Sequence, residues 1–162
     1  MAIADIELSS GRRIMTMIEP RMLEKIGMNS SGLGILPNIL PSNEQLTGLP
    51  VHILLRELLE CNSIDEAKGL IQAHGEGKAS HVVIGAKQDS LSAELALSQT
   101  WFQSIKQPDY VHTNNYFQPG KAEENGATCS HARLRTLKGA IQENTILDIE
   151  MMRLLLDNSE QP

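Results

Sequence analysis

Apolar residues recur along the chain at two spacings, every second residue in some stretches and every three to four residues in others. The first spacing predicts strands and the second predicts helices. Residues 4–8 and 13–18 alternate apolar with polar side chains, which is typical of half-buried strands. Between Met22 and Leu40, two apolar stretches flank the sequence NSSG at residues 29–32. Asn and Gly tolerate the backbone angles of tight turns, so this segment predicts a β-hairpin.

A helical period begins at Pro50. Apolar side chains then recur on one face of a helix, at Val51, Leu54, Leu55, Leu58 and Leu59. Ser63 and Glu66 have the spacing of a capping box, and the apolar stripe that follows ends near Gly75. We therefore expect two short helices that pack against each other as a helical hairpin.

The period returns to two after Ser80. Residues 81–84 and 91–97 predict strands on either side of a turn at 87–90, and Tyr110 to Asn114 predicts one more strand. The polar stretch from Gln118 to Thr128 predicts an exposed loop.

Two helices are predicted at the end of the chain. Ser130 can cap a helix that runs through Ile141, and Thr145 with Asp148 can cap another that carries Met152. The order of strands and helices along the chain predicts an α+β protein in which helices cover an antiparallel sheet.

Charge and composition exclude several partners. A net charge of −6 with interspersed signs provides no continuous basic surface, so neither nucleic acid nor an anionic membrane is an expected partner. No apolar stretch approaches about 20 residues, and the first residues do not resemble a signal peptide, which predicts a cytoplasmic location. Aromatic residues are few, so the core is expected to be aliphatic.

The two cysteines and five histidines do not suggest a metal site. Cys61 closes an apolar helix and is expected to be a core thiol, whereas Cys129 lies two positions from His131 and would need to meet it in space to form a reactive pair. The histidines lack the HxxxH spacing of a helical zinc site. We predict no metal and no cofactor.

Short motifs in a fixed order resemble one enzyme family. Residues 25–34 (KIGMNSSGLG) resemble the "KIGFNSAGVG" hairpin of the acyl-coenzyme A:isopenicillin N acyltransferase family of N-terminal-nucleophile hydrolases. Residues 50–56 (PVHILLR) look like its "PxHxxLR" helix start, and residues 111–114 (VHTN) look like its "VHTNH" strand. Residues 130–137 and 147–157 are similar to its later helices, so the resemblance spans roughly residues 13–157.

The resemblance implies a fold and a chemistry. It implies an αββα sandwich, in which two stacked antiparallel sheets lie between helices, and cleavage or transfer of small acyl amides or acyl thioesters through a cysteine thioester. It matches Asn114 to an oxyanion-hole asparagine and Asn38 to an asparagine that faces the nucleophile. Asparagine is also frequent at turns and strand ends, so a structural role for both residues remains the alternative.

The family's nucleophile has no counterpart near the start of the chain. Residues 1–12 contain no suitably placed Cys, Ser or Thr, because Ser9 and Ser10 would first have to be unmasked by cleavage. A Ser-x-x-Arg segment of the family is expected to lie beyond Pro162. We therefore expect residues 1–162 to be one partial sandwich domain that lacks strands at its N-terminal edge and C-terminus.

These expectations leave two functions open. One is a partial amide hydrolase or acyltransferase that is inactive alone and pairs with a complementing chain or with a second copy of itself. The other is a non-catalytic binding or interaction protein that retains the sandwich. Whether the chain itself is an enzyme depends on the missing nucleophile.

Overall fold

Seven antiparallel strands form one sheet in which spatial order follows sequence order. The structure, a computed structural model, describes residues 2–20, 23, 25–107, 109–118, 128–143 and 148–156. Residues 1–106 form one compact unit and residues 107–162 form a second. The single partial domain expected for residues 1–162 stays a prediction.

The strands are connected mostly by short hairpins. They are β1 (Ala2–Glu7), β2 (Arg13–Ile18), β3 (Ile26–Asn29), β4 (Gly34–Ile39), β5 (Ser80–Gly85), β6 (Ser90–Leu95) and β7 (Thr100–Ile105). The strands predicted before residue 98 are confirmed. β7 was not predicted, and the strand predicted at Tyr110 to Asn114 is wrong, since these residues have no strand pairing.

Two helices lie between β4 and β5 in sequence, as predicted: α1 (Val51–Leu58) and α2 (Ile64–His74). Ser63 Oγ accepts a hydrogen bond from the Glu66 backbone N–H at 3.2 Å, which is one half of a capping box. The other half differs, because the Glu66 carboxylate accepts from the Asn62 backbone N–H at 2.7 Å. Hydrogen bonds from Asn62 lower the pKa of Glu66.

Gly75 ends α2 at a position where the neighbouring atoms leave no room for a side chain. Its φ of −77° is open to any residue, so it is not a left-handed cap. A side chain would place Cβ 2.5 Å from the Ile71 carbonyl oxygen and 2.8 Å from Thr100 Oγ1. Only glycine allows the helix end and β7 to come this close.

The core of the first unit lies between the helix pair and one face of the sheet. Fully buried residues of the strands and helices meet there, among them Ile14, Ile35, Ile84, Leu54, Leu58 and Ile71. Burial of each such side chain contributes roughly 1.5–3 kcal/mol. The core is aliphatic, as expected.

The other face of β1–β4 is called the open face below. Its exposed apolar side chains are Ile3, Met15, Met28 and Leu36. The α+β class is confirmed, while the second sheet that the resemblance implies is not among the described residues.

Asn29 ties the β3–β4 hairpin to the end of α1. Its Nδ2 donates to the carbonyl oxygens of Leu59 (3.0 Å) and Cys61 (2.7 Å). Its Oδ1 accepts from the backbone N–H groups of Ser31 (3.0 Å) and Leu33 (3.1 Å). Gly32, with φ of 84°, is the residue of the turn that has a positive φ. The buried Asn29 is therefore not needed for the turn's backbone conformation, and its side chain connects the hairpin to the helix.

The second unit contains α3 (Thr128–Glu143) and α4 (Ile149–Leu156). The prediction that Ser130 caps α3 is wrong, because the helix begins two residues earlier. Asp148 caps α4, its Oδ1 accepting from the Met151 N–H at 2.8 Å, whereas Thr145 and most of the predicted loop at 118–128 lie outside the described residues. Within the described ranges, no helix is long and apolar enough to cross a membrane.

Candidate functional site

Asn114 is held by an arginine of α3. The Arg133 guanidinium donates a hydrogen bond to Asn114 Oδ1 at 3.0 Å, and both side chains are half-buried. Because Oδ1 faces the cation, the donor Nδ2 lies on the opposite side of the amide. A neutral N–H donor with a fixed direction is what stabilises an oxyanion.

The two neighbours of Asn114 are anchored to the same helix. Ser130 Oγ lies 3.0 Å from Thr113 Oγ1, and Thr113 Oγ1 lies 2.6 Å from Asn115 Oδ1. Each hydroxyl has one hydrogen, so the shortest consistent chain of donation runs from Ser130 to Thr113 to Asn115. All three side chains are buried. This network binds the segment to α3, which is why it does not form the predicted strand.

Aromatic rings lie on both sides of Asn114 in sequence. The rings of Tyr110 and His112 stack with centroids 6.4 Å apart, and His112 is tilted against Phe117 at 4.4 Å. The Lys138 ammonium lies 5.4 Å from the centre of the Phe117 ring. The three rings are half-buried and form a cluster in the same segment as the candidate oxyanion donor.

Asn38 lies in the first unit, on β4. It is half-buried, it is paired with His81 on β5, and its backbone carbonyl accepts from Ser80 Oγ at 3.1 Å. His81 in turn is paired with Glu94 on β6, and its Nε2 lies 2.9 Å from Ser92 Oγ.

His81, Ser92 and Glu94 are a buried polar group that the sequence analysis did not identify. Their side chains alternate with buried apolar residues on β5 and β6, and their exposed fractions are 4% or less. Polar residues at a period of two inside otherwise apolar strands were the available signal. The structure thus places Asn38 beside this polar group in the first unit, and Asn114 beside Arg133 in the second.

Arg133 was also missed, although its spacing was visible. The Ser-x-x-Arg segment that was expected beyond Pro162 has a matching pair at Ser130 and Arg133. One turn of α3 therefore carries both the serine that anchors Thr113 and the arginine that holds Asn114.

Neither cysteine forms a recognisable nucleophilic pair. Cys61 is buried, with an exposed fraction of 1%, and burial raises its pKa to about 11, with smaller contributions from nearby acidic residues. Cys129 is exposed in the first turn of α3. His131, two positions on, projects from a different side of the helix, since successive residues are about 100° apart. Among the described residues, no three His, Cys, Asp or Glu side chains come together as a metal site.

Residues 15–162 match the family model of acyl-coenzyme A:6-aminopenicillanic acid acyl-transferase. The chain belongs to this family. The resemblance of the hairpin and strand motifs is thereby confirmed. No curated protein matches the chain.

Solved structures of two hydrolases are similar to the chain. A variant of the conjugated bile acid hydrolase from Clostridium perfringens is 16% identical, with a TM-score of 0.52, over 94% of this chain and 67% of that one. Penicillin V acylase from Agrobacterium tumefaciens is 13% identical, with a TM-score of 0.43, over 63% of this chain. The chain spans only 38% of the length of that acylase. At 16% identity, the likeness to the bile acid hydrolase concerns the fold alone.

Proposed function

We propose that this family member carries part of the acyl-amide site of an amide hydrolase or acyltransferase, and that residues 1–162 do not turn over substrate alone. The substrate class is a small-molecule acyl amide or acyl thioester, and the location is cytoplasmic. The observation that carries the proposal is the hydrogen bond from Arg133 to Asn114.

The proposed role of Asn114 is to donate a hydrogen bond to the oxyanion of a tetrahedral intermediate. The cation at Oδ1 polarises the amide and fixes the direction of Nδ2. The anchored neighbours Thr113 and Asn115 limit rotation of the segment. Loss of one such donor costs about 3 kcal/mol of transition-state stabilisation.

The proposed role of Asn38 is at the nucleophile. Asn38 is opposite His81 in the pairing of β4 with β5, and this backbone pairing sets its position beside the buried polar group of β5 and β6. We propose further that the sheet is one of the two sheets of an incomplete αββα sandwich. The apolar open face supports this, because a sheet surface of this kind packs well against another sheet.

The state of the two thiols supports inactivity of the isolated chain. A thioester forms when a base takes the thiol proton and the thiolate attacks the amide carbonyl carbon, whose oxygen becomes an oxyanion. The intermediate then collapses as the C–N bond breaks, and the amine leaves with the proton that the base had taken. At neutral pH, Cys61 is protonated because its pKa is about 11. Cys129 and His131 project from different sides of α3, so they do not form a thiol–imidazole pair. We propose that the attacking cysteine lies outside residues 1–162, and a complementing chain supplies it in the assay below.

A complementation assay tests the proposal. The purified chain is mixed with a chain that supplies an N-terminal cysteine strand, and release of a chromogenic amine from an acyl amide is followed. We expect no turnover without the second chain, turnover with it, and complete loss after iodoacetamide treatment. Turnover by the isolated C61A/C129A variant would contradict the proposal.

The alternative function, a non-catalytic binding protein, gives a different result. It predicts that no pairing yields turnover, while small acyl amides still bind to the isolated chain by calorimetry. Asn114→Ala would then weaken binding, and Asn43→Ala, at an exposed asparagine of the first unit, would not.

A further inference from the structure

One turn of α3 holds three consecutive residues around the candidate oxyanion donor. Thr113 and Asn115 both contact Ser130. Asn114, which lies between them, contacts Arg133. Successive side chains of a straight strand point to opposite sides, so a strand could not bring all three to the same helix turn. The backbone instead bends at Asn114 and Asn115, and this bend allows the three contacts.

The direction of the Asn114 amide depends on the backbone of this residue as well as on its side-chain contact. The hydrogen bond from Arg133 holds the end of the side chain, whereas the contacts of Thr113 hold the backbone beside it. We propose that Ser130 and Thr113 are positioning residues of the acyl-amide site, whose hydroxyl groups set this direction. The inference rests on the proposed role of Asn114 and deepens it by naming the groups on which that role depends.

The hydroxyl hydrogens of Ser130 and Thr113 can be assigned in two ways. The shorter contacts give a chain of donation from Ser130 Oγ to Thr113 Oγ1 (3.0 Å) and on to Asn115 Oδ1 (2.6 Å). In the second arrangement, Ser130 Oγ donates directly to Asn115 Oδ1 (3.2 Å), and Thr113 Oγ1 donates to the Ser130 carbonyl oxygen (3.1 Å). Each hydroxyl has one hydrogen, and both arrangements use both hydrogens. In either case, both neighbours of Asn114 are tied to the first turn of α3.

Burial gives these contacts their directional effect. The exposed fraction is 0% for Ser130 and 5% for both Thr113 and Asn115. Water therefore cannot easily replace a lost partner, and a displaced segment would leave polar groups unpaired. Apolar side chains would also hold the segment against the helix, without the cost of burying polar groups. Hydrogen bonds depend on direction as well as distance, so they specify one orientation of the segment.

An error in the direction of Asn114 should affect the transition state more than substrate binding. The oxyanion exists only once the carbonyl carbon has been attacked, so a misdirected Nδ2 weakens a hydrogen bond that the bound substrate does not yet make. A displacement of about 1 Å can lower a rate roughly 100-fold. Loss of both hydroxyl groups should therefore lower kcat and leave KM nearly unchanged.

Variants that lack one or both hydroxyl groups test the inference in the complementation assay. After Ser130→Ala or Thr113→Val, the remaining hydroxyl can still donate to Asn115 Oδ1, so each single variant should lower kcat less than roughly 10-fold. The double variant S130A/T113V lacks both of these donors and should lower kcat by roughly 10- to 100-fold. Thr113→Ser retains the hydroxyl and should lower kcat less than Thr113→Val.

Thr136→Val is the matched control. Thr136 is exposed on the same helix, and its hydroxyl donates to the Ala132 carbonyl oxygen at 3.2 Å, so the change removes a hydrogen bond that lies within α3. T136V should leave kcat unchanged. Thermal unfolding by circular dichroism establishes that each variant is folded.

A double-mutant cycle with Asn114→Ala separates positioning from a merely structural role. If Ser130 and Thr113 act through Asn114, S130A/T113V should not lower kcat further in the N114A background, because the group that they direct is already gone. A structural role would lower kcat by the same factor in both backgrounds.

Nuclear magnetic resonance of the isolated chain provides a readout that needs no turnover. The side-chain amide protons of Asn114 are identified as the pair of resonances that disappears in N114A. This pair should shift or broaden in S130A/T113V and stay unchanged in T136V.

Three results would overturn the inference and leave the proposed function intact. They are a wild-type kcat in S130A/T113V, equal losses of kcat in the wild-type and N114A backgrounds, and unchanged Asn114 amide resonances in the double variant. If the double variant does not fold, T113V takes its place under the same three criteria. Absence of turnover by the complemented wild type would contradict the proposed function, and this inference would fall with it.

Discussion

Replacement of Asn29 by alanine should destabilise the first unit more than any other single asparagine change in it. The substitution removes four hydrogen bonds. Two join the β3–β4 hairpin to the end of α1, and two lie within the hairpin. The Leu59 and Cys61 carbonyl groups and the Leu33 N–H lose their side-chain partner in a buried environment. Ser31 is exposed and can bond to water.

The magnitude follows from the three buried groups. A net value of about 1 kcal/mol for each lost hydrogen bond gives a loss of about 3 kcal/mol in the free energy of unfolding, and more if no water enters. Urea titration followed by circular dichroism measures this loss. Asn43→Ala, at an exposed position, should change stability by no more than about 0.5 kcal/mol.

Asn29→Asp separates the donor role from the acceptor role. A carboxylate can still accept from Ser31 and Leu33, but it faces the Leu59 and Cys61 carbonyl oxygens across the 3.0 and 2.7 Å contacts now made by Nδ2. The pKa of the variant carboxyl should therefore be raised in the folded state, because only its protonated form can donate. N29D should be more stable at pH 4 than at pH 7, relative to the wild type. A loss below 1 kcal/mol in N29A, or a pH-independent difference for N29D, would refute this role.

Other predictions concern Cys61 and two glycines of the helix pair. The pKa of Cys61 is raised from 9.0 to about 11, so between these pH values the folded state keeps the thiol proton that the unfolded state loses. The free energy of unfolding should therefore fall by up to roughly 2 to 3 kcal/mol as pH rises from 9 to 11. The C61A variant should show a smaller fall in thermal melts. In the native protein, Ellman's reagent should react quickly with the exposed Cys129 and slowly with Cys61, and equal rates would contradict the burial. Gly75→Ala should destabilise by about 2 kcal/mol or more, because Cβ would lie 2.5 Å from a backbone oxygen. Gly69→Ala, within α2 and with nothing within 4 Å of the added Cβ, should stabilise by about 0.5 to 1 kcal/mol.

Local signals were sufficient to predict most of the first unit. The β3–β4 hairpin and the helix pair follow from turn residues, caps and apolar periods that act within about ten residues of one another. β7 was missed because its sequence, TWFQSI, has few of the alternating apolar positions that a strand search requires. The order of strands in the sheet could not be predicted either, because alternation of apolar and polar residues within one strand does not specify which strand lies beside it.

The segment around Asn114 shows why the candidate site was only partly predictable. The role that the resemblance implies for Asn114 stays a prediction. The strand predicted there is wrong, because Thr113 and Asn115 bond to Ser130, which is 15 or more residues away. Ser130 was read as a cap for the same reason: a serine near a helix start has local partners far more often than distant ones. The contact between Arg133 and Asn114 forms only once α3 is folded. The Ser-x-x-Arg spacing at residues 130–133 was the local signal for it.

Turnover of an acyl amide by the complemented chain, compared between Asn114→Ala and Asn43→Ala, tests the central claim most directly. If Asn114 donates to the oxyanion, N114A should lower kcat about 100-fold or more with little change in KM, and N43A should leave both unchanged. Arg133→Gln should lower kcat less, since it can still donate to Asn114 Oδ1 without the charge. Equal kcat values for N114A and N43A would contradict the account.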